Sequence, residues 1–182
     1  MNNAIGFTLR MLGAVACLGA AGLGYAEDVS HVTYGKTEQW FINSPTVNSR
    51  AWKNYSGQIV IYPGDSVFVT AGGCVQTGGS GLTWKRYVDP QGPNSDRLYH
   101  GVFALPGVYV TTFESWMQPV SPGSDVWQGH YWVPAGEAVG TLWLVYQDDG
   151  YSDNGYYAHD NGTGDQCKNV GNAWVSLTVV HQ

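Results

Sequence analysis

The sequence has few charged residues. Only 12% of its 182 residues are Asp, Glu, Lys or Arg, and acidic residues outnumber Lys and Arg by 14 to 8. The resulting net charge of −6 argues against a basic surface that could displace counterions from nucleic acid, so no nucleic-acid partner is expected. After the first segment, no window repeats apolar residues at helical spacing over three turns, which argues against a helical bundle.

Common catalytic and metal-binding motifs are also missing. The chain has no Gly-x-Ser-x-Gly nucleophile elbow and no His-Glu-x-x-His zinc motif. Its five histidines are scattered rather than grouped as transition-metal ligands. Two of them lie near acids, His100 near Asp96 and His159 beside Asp160, and both pairs are interpreted as surface hydrogen bonding. We therefore expect no enzyme activity.

The first segment, residues 1–26, has the pattern of a secretory signal peptide. Arg10 is its one charged residue, and the apolar run from Met11 to Leu23 is too short to span a bilayer comfortably. Small residues at Gly24 and Ala26 predict cleavage near Ala26. A secreted or periplasmic protein is expected, and no second apolar run of membrane-spanning length follows.

Two cysteines remain after such a cleavage, Cys74 and Cys167. In an oxidising compartment these two thiols are expected to form a disulfide.

The rest of the chain is typical of an all-β domain with short strands. Residues 175–179 alternate apolar and polar side chains, and Thr141–Tyr146 is an apolar run suited to a strand buried on both faces. Pro-Gly turn signals separate such segments at short intervals, as in a β-sandwich, jelly roll or barrel. We expect one domain over 57–182, joined by an N-terminal extension over 27–56. Four tryptophans in strand-like segments are expected in the core: Trp84, Trp132, Trp143 and Trp174.

One Gly-rich stretch concentrates carboxylates. Such a density is costly unless a cation lies among them, and calcium prefers oxygen ligands of this kind. The stretch is either a calcium-binding loop or a solvated acidic loop, and the residues alone do not decide. Its tyrosines either stack on a sugar or pack beneath the loop. The residues concerned are Asp148, Asp149, Asp153, Asp160 and Asp165, with Asn154, Asn161, Asn169 and Asn172, and Tyr151, Tyr156 and Tyr157.

Three stretches resemble the calcium-dependent galactose-binding lectins of the PA-IL (LecA) type. The first is Ile61-Tyr62-Pro63-Gly64-Asp65 with the alternating residues after it, and the second is Pro90-Gln91-Gly92 followed by a polar segment. The third runs from Tyr131-Trp132-Val133-Pro134 through Tyr146 into the acidic loop and the last strand. Together they cover most of residues 57–180 and match in pattern and order rather than in close identity.

The resemblance implies a single-domain jelly-roll β-sandwich whose loops hold a calcium ion that coordinates two sugar hydroxyls. It implies metal ligands among Asp148, Asp149, Ser152, Asp153 and Asn154, with backbone carbonyls near Gln76 or Thr77 and with Asn169 and Asn172 as competing candidates. The family's His-Pro-x-Gln sugar contact is missing, and Asp96, Arg97 and His100 occupy that region. Candidate sugar contacts are therefore Asp96, Arg97, His100, Tyr151 and Tyr156.

Three functions follow as hypotheses. The leading one is a secreted calcium-dependent carbohydrate-binding protein, with a galactose-type glycan as one candidate ligand. Because a site of this kind binds weakly, a homo-oligomer that adds avidity is expected. The second is a structural or protein-interaction module with a purely structural calcium. The third is a glycan hydrolase that uses two of the carboxylates.

Overall fold

The computed structural model describes residues 27–182, and the predicted signal peptide therefore lies outside the described residues. Thirteen strands and one short helix make up the regular structure: β1 (Asp28–Tyr34), β2 (Thr37–Asn43), β3 (Lys53–Asn54), β4 (Ser66–Gly72), β5 (Cys74–Thr77), β6 (Trp84–Arg86), β7 (Gly101–Leu105), β8 (Val108–Thr112), α1 (Phe113–Trp116), β9 (Gln118–Pro119), β10 (Trp127–Trp132), β11 (Trp143–Tyr146), β12 (Asn154–Gly155) and β13 (Trp174–Val180). A 3₁₀ turn covers Thr163–Asp165. No helix in this part of the chain has the length and apolar character needed to cross a membrane.

The strands form an antiparallel β-sandwich, which confirms the predicted fold class. The larger sheet has the order β1-β2-β13-β4-β10-β9, and the opposing sheet has the order β3-β11-β7-β8. A third, small sheet, β12-β5-β6, flanks them. The segment 27–56, predicted as an extension, supplies β1, β2 and β3.

The core lies between the two larger sheets and follows the predicted alternation. Val175, Leu177 and Val179 of β13 are fully buried and pack in one cluster with Phe103 and Leu144 of the opposing sheet. Burying an aliphatic side chain of this size contributes about 1.5–3 kcal/mol, so the inward row of β13 is a main source of stability.

Three of the four tryptophan predictions are wrong, since Trp174 is only half-buried and lies in the outward row of β13. Trp84 is fully buried as expected, but Trp132 is 62% exposed and Trp143 is 38% exposed. Both lie on the outward face of their sheet, which an antiparallel sandwich leaves open to solvent. For the same reason Thr141–Tyr146 is not buried on both faces.

The predicted disulfide is confirmed. Cys74 and Cys167 are bonded, with their Cα atoms 6.0 Å apart, and both residues are fully buried. The bond attaches the segment between β12 and β13 to the small sheet.

Candidate functional site

The candidate site lies at one edge of the four-stranded sheet, where the start of β7 and the ends of β8 and β11 meet. β7 pairs with β11 so that Gly101 lies opposite Tyr146. The start of β7 and the end of β11 therefore reach the same edge, and the backbones of His100 and Gln147 are hydrogen-bonded there. β8 ends at this edge too, because Thr112 pairs with Val102, and it leads directly into α1.

Asp148 is the central residue of this edge. It follows β11, is 8% exposed, and its Oδ1 accepts hydrogen bonds from the backbone N–H groups of Asp149 and Gly150, at 2.6 and 3.2 Å. Its other oxygen, Oδ2, is buried and has no hydrogen-bond partner among residues 27–182. We name residues 148–150 the Asp148 turn.

Asn154 lies beside Asp148 and has a matching unpaired oxygen. Its side-chain Nδ2 donates to the carbonyl oxygen of Val47 at 3.0 Å, whereas its buried Oδ1 has no hydrogen-bond partner within the described chain. Burial raises the pKa of the Asp148 carboxyl, although the backbone N–H groups of Gly150 and Asp149 oppose this shift. Asp148 Oδ2 and Asn154 Oδ1 are thus two buried acceptor oxygens without a hydrogen-bond donor in the described part of the chain.

These oxygens suit a hard cation. Calcium takes 6–8 oxygen ligands from carboxylates, amide and backbone carbonyls, and water. Asp148 and Asn154 offer one carboxylate oxygen and one amide oxygen of this type. Across residues 27–182, however, no three His, Cys, Asp or Glu side chains are grouped closely enough to hold a metal ion by themselves. A cation here would therefore depend on neutral oxygen ligands as well.

Two tyrosines and one arginine lie near the Asp148 turn. Tyr151 accepts a hydrogen bond from the Asp148 N–H and donates to the carbonyl oxygen of Tyr146, while the Arg50 guanidinium lies 5.3 Å from the Tyr151 ring centre. Burial raises the pKa of Tyr99, and the nearby charges of Asp149 and Asp148 add to the shift. Two phenol groups therefore lie near the carboxylates.

A polar cleft of about 420 Å³ opens on one side of the turn. We name it the His100 cleft; its walls are Asp96, Arg97, His100, Thr112, Glu114, Ser115 and Gln147. Its volume is within the range of small-molecule sites. The structure thus brings together three of the predicted sugar contacts, Asp96, Arg97 and His100.

His100 is not a surface residue paired with Asp96, and that interpretation is wrong. It is 6% exposed, and its Nε2 donates to the carbonyl oxygen of Ser95 at 2.9 Å. Its Nδ1 lies 3.2 Å from Oε2 of Glu114. Burial raises the pKa of the Glu114 carboxyl, with His100 opposing the shift. Sequence reasoning missed Glu114, because only the meeting of β7 and α1 places it there.

The remaining predicted ligand and sugar-contact residues do not all lie at one place. Tyr156 is buried, and its hydroxyl donates to the carbonyl oxygen of Pro45. Ser152 and Asn154 line a second cleft, of about 370 Å³, against the loop 44–48. Asp153 is half-buried, and Asp149 and Asn169 are exposed.

Other members of the predicted ligand set already have hydrogen-bond partners. The Gln76 side chain donates a hydrogen bond to the Gly78 carbonyl oxygen and accepts one from the Ala158 N–H. The Thr77 hydroxyl donates to Thr83, and Asn172 donates to Ser44. The backbones of Gln76 and Thr77 pair with β12, which begins at Asn154.

Comparisons with known proteins give one likeness. No protein-family model matches the chain, and no curated protein sequence matches it. One solved structure is similar, described as "EclA N-terminal domain; PllA-like lectin", with 14% sequence identity and a TM-score of 0.42. The aligned part covers 79% of this chain and 95% of that domain.

Proposed function

We propose that the protein binds carbohydrate at the Asp148 turn, with a calcium ion held there that coordinates sugar hydroxyls. The observation that carries the proposal is the pair of buried oxygens, Asp148 Oδ2 and Asn154 Oδ1, for which residues 27–182 provide no hydrogen-bond donor. A buried acceptor without a donor costs about 1–3 kcal/mol, and more when it is charged. A bound cation would relieve this cost at both residues.

Calcium supplies Lewis-acidic coordination positions that sugar hydroxyls can occupy. Within the chain, Asp148 and Asn154 would hold the ion, helped by backbone carbonyls. With one buried carboxylate rather than several, the charge count is low, and affinity for calcium falls with charge count. We therefore expect a dissociation constant of about 10⁻⁴–10⁻³ M, as in extracellular calcium modules.

The His100 cleft would orient the sugar. The charged side chains of Asp96 and Arg97 line this cleft. Gln147, which also lines it, immediately precedes Asp148 in the sequence. Such side chains form charge-assisted hydrogen bonds with hydroxyl groups. The Tyr151 ring lies beside the turn. The Arg50 guanidinium lies over one face of this ring, so a ligand would contact the rest of the ring.

The predicted export and homo-oligomer complete the proposal. Export fits the disulfide, because such bonds persist in oxidising compartments. Oligomerisation would raise avidity if a single site is weak.

The test compares D148N with D165N, two substitutions that remove one negative charge each. Asp148→Asn keeps an acceptor for the N–H groups of Asp149 and Gly150, and Asp165 is an exposed residue paired with Lys168 at 3.8 Å. Isothermal calorimetry with calcium chloride and a glycan array in calcium and in EDTA are run on the wild type and both variants. The wild type and D165N should bind calcium and glycans, and D148N should lose both, by at least tenfold.

The other results have distinct meanings. Glycan binding that D148N keeps in calcium would contradict the calcium mechanism. A calcium-dependent rise in melting temperature without glycan binding would support the structural-calcium alternative.

A second candidate function is glycan hydrolysis in the His100 cleft. It is favoured by two carboxyls in one cleft, Glu114 and Asp96, and burial shifts the pKa of Glu114 upward, the direction that a general acid requires. Release of reducing sugar from a polysaccharide panel, lost in E114Q, would support it. No release from any substrate would leave binding as the function.

A further inference from the structure

The outward face of the larger sheet is uncharged across its four central strands. In β2, β13, β4 and β10, the outward positions carry Ser, Thr, Gln, Asn, Gly, Val and His together with Phe41, Phe68, Trp132 and Trp174, and none is Asp, Glu, Lys or Arg. Phe68 is 44% and Trp132 is 62% exposed. The rings of Phe68 and Trp132 both pack against His130, and a contiguous exposed patch of this kind is typical of a contact surface.

A cleft of about 540 Å³ indents this face beside β10. We name it the β10 cleft; its side chains are Phe68, Thr70, Trp116, Gln118, Gln128 and His130. It has no lining residue in common with the His100 cleft. Its volume falls within the range of ligand sites.

The aromatic walls of the β10 cleft are held in place. Trp116 lies on the core side of β10, directly against Gly129, where an added Cβ would come within 2.1 Å of the indole; its ring therefore reaches the cleft only because this inward position is glycine. Trp116 also packs edge-on against Phe103 and Tyr131. On the outward face the rings of Phe68 and His130 stack at 4.2 Å, and His130 Nε2 lies 2.9 Å from the hydroxyl oxygen of Ser66. Little ordering is needed when a ligand binds such walls.

Polar groups lie in a row across the same cleft. Thr70 lies opposite Gln128, and Gln128 lies opposite Gln118, so the three side chains follow one line across β4, β10 and β9. Neighbouring strands are about 4.8 Å apart, which sets the spacing of this row. Both glutamines are exposed, and the side-chain hydrogen bonds of the described residues include none from either amide.

We propose that the β10 cleft is a second carbohydrate site, which binds a neutral hexopyranose without calcium. A pyranose presents an apolar C–H face and a rim of hydroxyls. Aromatic rings can pack against the C–H face, and a row of amide and hydroxyl groups can form hydrogen bonds with the sugar hydroxyls. The lack of charge favours a neutral ligand, because an ionic group would lose hydration without gaining a partner. The proposal does not depend on the Asp148 turn.

The test is an NMR titration of the wild-type protein in EDTA. The probes are D-glucose, D-galactose, D-mannose and N-acetyl-D-glucosamine, with D-glucuronic acid as the anionic comparison. The side-chain amide signals of Gln118 and Gln128 are assigned by their disappearance in Q118A and Q128A. At least one neutral sugar should move both signals, and glucuronic acid should bind more weakly.

Variants then test whether the sugar binds in the β10 cleft. Q128A and F68T should each weaken the binding of that sugar at least fivefold. The matched control Q58A, an exposed glutamine outside the cleft, and D148N should leave it unchanged. Since EDTA removes the calcium site from the experiment, failure here and failure of the proposed function are distinguishable.

Two results would overturn the proposal. One is no shift of either amide signal with any probe up to about 100 mM, well above the millimolar range of weak sites. The other is a change of these signals at pH 7 with protein concentration and not with sugar, because a second copy of the chain would then cover the face even where the net negative charge opposes association.

Discussion

Asp160 shows how one carboxylate of the acidic stretch is used for structure. Its oxygens accept hydrogen bonds from the N–H groups of Thr83, Trp84 and Gly162, at 2.9, 3.2 and 2.7 Å. It thereby ties the segment after β12 to the start of β6. Burial raises the pKa of this carboxyl, but the hydrogen bonds outweigh burial and the net shift is downward.

This lowered pKa predicts a pH-dependent contribution to stability. A carboxyl whose pKa is lower in the folded state stabilises the fold above its ordinary pKa of 3.8, and the contribution is lost as pH falls through the lower folded value. Asp160→Asn should reduce the free energy of unfolding by about 1–3 kcal/mol at pH 7, because the amide oxygen can replace only one carboxylate oxygen and the remaining hydrogen bonds are no longer made to a charge. Urea denaturation at pH 7 and near pH 3 measures the difference, which should shrink at the lower pH. An equal loss at both values would contradict this role.

At the residue scale, sequence patterns located part of the candidate site. Asp148 and Asn154 stand out as oxygen ligands after a strand, and the structure places them side by side. Glu114 has no such signal, since it lies fourteen positions from its partner His100 and reaches it only through the turn into α1. Asp160 lies in the same acidic stretch as Asp148 and looks like an equally good metal ligand in the sequence. In the structure its oxygens already accept hydrogen bonds from backbone N–H groups.

At the element scale, the small sheet β12-β5-β6 depends on covalent support. β12 has two residues and β6 has three, too few for independent stability, and β5 carries Cys74 of the disulfide. The bond closes a loop of 93 residues, and closing so long a loop removes much conformational freedom from the unfolded chain.

Removing the disulfide should therefore destabilise the protein strongly. The double variant Cys74→Ala/Cys167→Ala is expected to lose about 4 kcal/mol of unfolding free energy, and alanine avoids leaving buried hydroxyls. Urea denaturation of the variant measures the loss, with the reduced wild type as a second reference. A loss below about 1 kcal/mol would mean that the small sheet holds without the bond.

Strand prediction succeeded where alternation was strict and failed where both faces looked apolar. β13 alternates cleanly, and its inward residues are fully buried. β10 reads Trp-Gln-Gly-His-Tyr-Trp, and its two tryptophans lie on opposite faces. Hydrophobicity alone assigns both to the core, because only the pairing with β4 shows that Trp132 lies in the outward row with Ser66.

At the scale of the whole molecule, the charge is unevenly distributed. The chain carries a net charge of −6, yet the outward face of the larger sheet lacks charged side chains on its four central strands. Repulsion between copies therefore comes from the remaining surface, and it weakens as acids become protonated.

Self-association should accordingly increase as pH falls toward the isoelectric point. Once repulsion is lost, exposed aromatic groups on the uncharged face can meet. Light scattering at decreasing pH should show association in the wild type and less in Trp132→Thr. Trp143→Thr, which changes an exposed tryptophan on the other sheet, is the matched control and should behave like the wild type. Equal association in all three proteins would contradict the role of this face.

The position of the disulfide has a consequence for proteolysis. Tyr157, Ala158 and His159 are exposed between β12 and Cys167, and a peptidase cut among them would separate β13 from the rest of the backbone. β13 lies between β2 and β4 at the centre of the larger sheet, so its departure would remove the core. Because Cys167 stays bonded to Cys74, the cut product remains one molecule, and its two fragments separate only under reducing conditions.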